Sequence, residues 1–195
     1  AMIPTAAPID SLELDDSAVR DEPVRQPQRW SHAGAIDVPL VNRTIDFVLE
    51  RIDRNLIALG DRFPAPSSVH GVYAPIDNIE WTNGFWTGML WLAFEVTGDV
   101  RYRNSAHSQV QSFKRRADDR INVDHHDLGF LYTLSCVSAY KLTGSEIGAG
   151  AAMQAAELPL RRYLPSAGII QAWGDLSDPA QRGRVVIGCN LNLPL

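Results

Sequence analysis

GFWTGMLWLAFEVT, residues 84–97, decides the fold. It carries apolar side chains on nearly every side of a helical wheel, which predicts a helix buried all round. Gly98 supplies its stop. Residues 100–117 downstream read differently. Tyr102, Ala106, Val110 and Phe113 share one face, with Arg101, Arg103, Lys114 and Arg115 outside it, so an amphipathic helix is expected. The alternation then recurs. LGFLYTLSCVSAYKL, residues 128–142, is apolar again and ends at Gly144. An Ala-rich helix over 146–164 follows, and Pro159 is expected to kink or break it. Upstream, Val41, Ile45, Val48, Leu49, Ile52, Leu56 and Leu59 keep a 3.6-residue period, with Asp46, Glu50, Arg51, Asp53 and Arg54 opposite and Gly60 as the stop. At the far end CNLNLPL, residues 189–195, begins a further apolar segment.

An internal repeat underlies this order. Gly84-Phe85 and Gly129-Phe130 lie 45 residues apart, and Thr97-Gly98 and Thr143-Gly144 lie 46 apart. Helical pairs at roughly 40–47 residues indicate a stacked or ring-like array of hairpins. The expected fold is all-α, with the apolar helices as an inner layer and the amphipathic ones as an outer layer.

Composition bounds the function. The chain has 195 residues, 45% hydrophobic and 21% charged, with 18 basic and 23 acidic side chains and a net charge of -5. Its pI near 5.5 argues against a nucleic-acid binder, which needs a basic stripe to displace counterions. Two cysteines, Cys136 and Cys189, stand in apolar stretches without metal-site spacing, and buried thiols in a reducing compartment are expected. No apolar run is long enough to span a bilayer, and the start lacks the layout of a signal peptide. The expected location is cytoplasmic. Residues 1–35, with Pro4, Pro8, Pro23 and Pro27 and an acidic patch at Asp15 and Asp16, are expected to form an extended or disordered tail. Residues 36–195 are expected to form the helical domain.

In a ring of hairpins, the loops before the inner helices converge. These are residues 61–83, 118–127 and 165–188. The first ends in EWTNGFW (Glu80, Trp81, Asn83, Trp86), the second in DHHDLGF (Asp124, His125, His126, Asp127), and the third carries QAWGDLSD (Gln171, Trp173, Asp175, Asp178). Indoles that stack on sugar faces, with amides and carboxylates that hold hydroxyls, suit a carbohydrate site. Each residue also has a plainer role. Asp127 precedes a helix, where an N-cap aspartate contributes about 1 kcal/mol. His125 and His126 are adjacent, so they are expected to point apart, and zinc sites use wider spacings. No metal is expected. Trp86 and Trp91, at helical spacing, suit the core, whereas Trp81 precedes the helix and suits a binding surface.

WTNGFWTGMLWLAFEVTGD (81–99), VDHHDLGFLYTLS (123–135), AGIIQAWGD (167–175) and GRVVIGCNLNLPL (183–195) together resemble the unsaturated glucuronyl hydrolases, glycoside hydrolase family 88. The resemblance covers residues 38–195 and the N-terminal half of that family. It implies an (α/α) six-hairpin barrel, of which this chain holds about the first half. It also implies an enzyme that releases the 4,5-unsaturated uronic acid from lyase-generated, glycosaminoglycan-type oligosaccharides. An aspartate protonates the vinyl ether, water adds at carbon five, and the hemiketal collapses. That differs from two-carboxylate attack at the anomeric carbon, and it needs no cofactor. Residue by residue, Asp127 matches the family aspartate that contacts the reacting uronic acid and assists catalysis. Trp81 and Trp173 match aromatic residues of the substrate pocket, and His126 a pocket histidine.

There are two departures. Gly188 stands where the family has its proton-donor aspartate. Loss of a general acid costs about 10²–10⁴ in rate, so the alternative reading is an impaired or truncated relative that binds unsaturated sugars or a partner chain. Asp175 and Asp178 are the nearest acids in sequence. Second, the family is roughly twice as long. A half ring leaves two apolar inner faces open, so pairing with a second copy or a complementing fragment is expected.

Overall fold

The computed structural model describes Pro23, residues 25–29 and residues 37–195. The tail expected over 1–35 otherwise lies outside the described residues. The chain divides into two units, Ala1–Val41 and Asn42–Leu195. In the first, Pro27–Arg29 forms a 3-10 turn. Everything below concerns the second, apart from the first turn of α1.

The element order is α1 (Val38–Leu59), β1 (Phe63–Pro64), β2 (Pro75–Ile76), α2 (Asn83–Thr97), α3 (Val100–Asp118), α4 (Leu128–Tyr132), a π-helical turn (Thr133–Val137), α5 (Ser138–Thr143), α6 (Glu146–Glu157), β3 (Tyr163–Leu164), β4 (Ile169–Ile170) and α7 (Cys189–Asn192). The architecture is all-α, as expected, but short ladders form in the loop over 61–83 and between Tyr163–Leu164, expected as the end of a helix, and the loop after it. β1 pairs antiparallel with β2, and β3 with β4. Two-residue strands lack the length for an alternating pattern.

Inner helices α2 and α4–α5 pack side by side, and outer helices α3 and α6 pack behind them and on each other. Tyr102, Ala106, Val110 and Phe113 of α3 are all buried, and so are Ala151, Ala152 and Ala155 of α6. The helix from Glu146 ends at Glu157, and a 3-10 turn begins at Pro159. A proline ring cannot continue the i to i-4 ladder.

The repeat has a structural counterpart at every expected point. Gly98 and Gly144 both adopt φ 70° and return their N–H to the carbonyl four residues back. Thr97 and Thr143 both bond the carbonyls of Ala93 and Ala139 at 2.6 Å. A Cβ on Gly84 would lie 2.0 Å from the Phe130 carbonyl oxygen, and one on Gly129 would lie 2.4 Å from Asn192 Cα. Each glycine lets the next inner helix sit backbone to backbone. The end of α7 thus docks on α4 much as α4 docks on α2.

Two expectations need correction. The helix over 128–142 is not uniform, because a π turn interrupts it. Within the turn the Ser135 carbonyl accepts both the Ser138 N–H and the Trp91 indole N–H, the latter at 2.9 Å. Nor is α2 buried all round. Trp86, Leu90 and Trp91 are buried, yet Phe85, Met89, Leu92 and Val96 remain exposed in one stripe. α3 and α4–α5 cover only part of its circumference, and apolarity alone does not say which neighbour covers the rest. On either side of the stripe run apolar grooves, one against Leu134, Ser138 and Leu142, the other against Ile45, Val48 and Ile52 of α1. Among the described residues no helix is long and apolar enough to cross a membrane.

Candidate active site

The loops before α2, α4 and α7 come together through two buried arginines that the sequence reading did not single out. Arg116, at the end of α3, donates to Asn78 Oδ1 and the Glu80 carbonyl in the first loop, and to the Ile121 and Asn122 carbonyls in the second, all within 3.0 Å. Arg162, 46 residues on, binds Asp124 Oδ1 at 2.7 Å in the second loop. It also binds the Gln171 and Gly174 carbonyls in the third at 2.9 and 2.7 Å. A guanidinium presents five donors in a rigid fork, which suits stitching carbonyls of two loops. The His126 N–H adds a backbone bond to the Ala172 carbonyl at 3.0 Å. Convergence of the loops is therefore borne out.

Asp127 stands at the N-cap of α4, but its side chain makes no capping bond. This corrects the plainer expectation for it. Its carboxylate, with 22% of the side chain exposed, receives His126 Nε2 at 3.1 Å and Asn192 Nδ2 at 3.4 Å. The two histidines do not point apart as expected. They lie in a turn rather than a strand, and both rings flank Asp127. His125 Nε2 lies 2.8 Å from the Asn122 carbonyl, and the Asp127 N–H donates to His125 Nδ1 at 3.1 Å. These partners assign His125 as the neutral Nε2–H tautomer. Burial pulls its imidazole below the usual 6.5, against a smaller upward pull from the Asn122 carbonyl. The folded value lies below the unfolded one, so the unfolded chain binds the extra proton between them. Stability is then lost as pH falls from about 6.5 through the folded value. Thermal midpoints are expected to fall more steeply with acid in wild type than in His125→Gln. Parallel slopes would contradict this.

His126 is buried and joins three elements. With Nε2–H directed at Asp127, its Nδ1 accepts the Cys189 thiol at 3.2 Å. Cys189 is half-buried rather than buried, whereas Cys136 is buried and its thiol is pushed up to about 12 by burial. Beside them stands Gly188. Its φ of -57° suits any residue. A Cβ built there would meet only His126 Cε1 at 3.8 Å and Val186 Cγ1 at 4.0 Å, which is ordinary contact. A side chain at 188 therefore fits, and it would start next to the ring that holds Asp127.

The aromatic residues divide as expected. Trp86 and Trp91 are 1% exposed and belong to the core, where truncating such a ring costs about 3–5 kcal/mol. Trp81 is 44% exposed and Trp173 46%. The Trp81 ring packs edge-on to Phe85 and 6.2 Å from Phe130, one turn into α4 from Asp127. Trp173 follows Ala172, the residue bonded to His126. A cleft of about 430 Å³ is lined by His126 together with Tyr163, Ile170, Cys189 and Asn192. Neither Trp81 nor Trp173 lines it.

Other polar residues of the three loops serve the scaffold. Gln171 is fully buried; it donates to the Trp173 carbonyl and accepts the Gly183 N–H. The Ser177 hydroxyl and N–H hold Asp175 below the usual carboxylate range. Asp178 is held low by Gln181 and caps a 3-10 turn. A carboxyl that must protonate carbon near neutral pH needs the opposite shift. Among the described residues no group of three or more His, Cys, Asp and Glu side chains is placed to hold a metal ion. Asn192 was also missed, and its signal was only its place in a short apolar segment.

No protein-family model matches the chain. The unsaturated chondroitin disaccharide hydrolase of Streptococcus pneumoniae (strain ATCC BAA-255 / R6) is 41% identical over 174 residues, which is 89% of this chain and 44% of that protein. The unsaturated glucuronyl hydrolase of Bacillus sp. (strain GL1) is 49% identical over 142 residues, 73% of this chain and 38% of that protein. The crystal structure of unsaturated glucuronyl hydrolase from Streptococcus agalactiae superposes with a TM-score of 0.85 at 39% identity, covering 90% of this chain and 44% of that one. The layered hairpins and these likenesses define an all-α fold of the (α/α) barrel type. The homologues that this chain matches at 39–49% identity, and its structural neighbours, are unsaturated glucuronyl hydrolases. The chain spans less than half the length of the relatives it matches.

Proposed function

We propose that this chain carries the part of a glycoside hydrolase site that handles the unsaturated uronic acid of lyase-generated, glycosaminoglycan-type oligosaccharides. The relatives' names, chondroitin disaccharide and glucuronyl hydrolases, support the substrate class. The observation that carries the reading is the carboxylate of Asp127, kept off its helix end and given donors by His126 and Asn192. In this reading Asp127 contacts the reacting sugar and assists the addition of water. His126 orients Asp127, and Trp81 and Trp173 stack on sugar faces. The reaction protonates the vinyl ether, adds water at carbon five and lets the hemiketal collapse, so water and a tuned acid suffice without a cofactor. Residues 36–195 would form the domain, with 1–35 as a tail, and the cytoplasm is the location in keeping with two free thiols.

A specific observation favours a second reading, in which the site binds the sugar with little turnover. Position 188, beside His126, is a glycine and offers no proton. Loss of the ultraviolet absorbance of an unsaturated chondroitin disaccharide separates the two. A fall on mixing with the Gly188 chain supports turnover. Calorimetric binding with steady absorbance supports the second reading, and neither signal from a folded sample sinks both. We also propose that the open stripe of Phe85, Met89, Leu92 and Val96 is covered by a second copy or a complementing chain. Light scattering is expected to show a mass above that of one chain, and a monodisperse monomer would refute pairing between copies.

A further inference from the structure

We propose that Asn192 is a positioning residue that takes over the capping of α4 and thereby releases the Asp127 carboxylate for the site. An aspartate at an N-cap ordinarily accepts the N–H of the second or third helical residue, a bond that contributes about 1 kcal/mol. Asp99 and Ser145, which cap α3 and α6, do this with their own side chains. Asp127 does not. The N–H it would take, that of Phe130, donates to Asn192 Oδ1 at 2.8 Å from 62 residues away. The same amide turns its Nδ2 to the Gly188 carbonyl at 2.9 Å and to Asp127 Oδ1 at 3.4 Å. One side chain therefore supplies the acceptor that the helix end needs and a donor that draws the carboxylate the other way. Its place is fixed, because Asn192 is buried and its backbone rests against Gly129, where no Cβ fits. Without the amide, Asp127 would return to the free Phe130 N–H and leave the site. Only the consequence for turnover rests on the function proposed above; the exchange of caps does not.

The test follows the Phe130 amide proton by NMR through the range in which carboxylates titrate. In wild type the amide faces a neutral amide oxygen, so a small acid shift is expected. In Asn192→Ala it is expected to move with a single carboxylate titration, and that movement is expected to vanish in Asn192→Ala/Asp127→Ala. Where the alanine variant fails to fold, Asn192→Ser, whose hydroxyl is shorter than the amide, takes its place. A strong carboxylate titration of this amide in wild type, or none in the folded Asn192 variant, would overturn the proposal. In a Gly188→Asp chain, Asn192→Ala is further expected to lower kcat about 10²-fold with little change in KM, as misplacement of a reacting group does. Unchanged kcat in a variant whose amide titrates would overturn the positioning role. An inert Gly188→Asp chain would count against the proposed function, and the amide titration would then decide by itself whether Asn192 caps α4.

Discussion

A Gly188→Asp chain is expected to destroy the double bond of an unsaturated chondroitin disaccharide about 10²–10⁴ times faster than the Gly188 chain, the range that a positioned general acid contributes. The backbone at 188 is already in an ordinary helical conformation, and a Cβ there meets nothing closer than 3.8 Å. The added carboxyl therefore costs little in strain. It would rise beside His126, whose far nitrogen holds Asp127. An acid at this position supplies the proton that a glycine cannot. The check is the initial rate of absorbance loss for the two chains at equal concentration. Equal rates would place the missing proton elsewhere.

Asp127→Asn in the Gly188→Asp background is expected to remove that gain, again by about 10²–10⁴, while the chain stays folded and still binds the disaccharide. The amide keeps one oxygen for the His126 Nε2–H and has nearly the shape of the carboxylate, so the turn over 124–127 has no reason to rearrange. Because Asp127 contributes no capping bond, the helix end loses nothing. Calorimetry and circular dichroism on the same sample separate loss of chemistry from loss of fold. A variant that turns over as fast as its parent would end the case for Asp127.

The fold was legible because its rules are periodic. The 45- and 46-residue recurrence of Gly-Phe and Thr-Gly led to stacked hairpins, and those residues occupy equivalent close approaches and left-handed caps. The amphipathic face of residues 100–117 was legible because outward charges mark it. The open stripe on α2 was not, since Phe85 and Met89 look no different in sequence from Leu90 and Trp91. Trp81, His126, Asp127 and Trp173 were singled out as site candidates by chemical type and by resemblance. The groups that fix Asp127 and the loops around it, Asn192, Arg116 and Arg162, were not. An arginine that bonds mostly carbonyls leaves no charge pattern, although Arg116 and Arg162 carry the same 46-residue spacing as the repeat. Asp127 was expected to cap because the four residues nearest it say so. The bond that displaces it comes from 62 residues beyond Phe130.

The most direct measurement follows the ultraviolet absorbance of an unsaturated chondroitin disaccharide in three parallel samples of verified fold: the Gly188 chain, Gly188→Asp, and Gly188→Asp with Asp127→Asn. The expected result is a fast fall in the second sample alone. A steady trace in the second, or an equal fall in the second and third, would contradict a site built on Asp127 and completed at position 188.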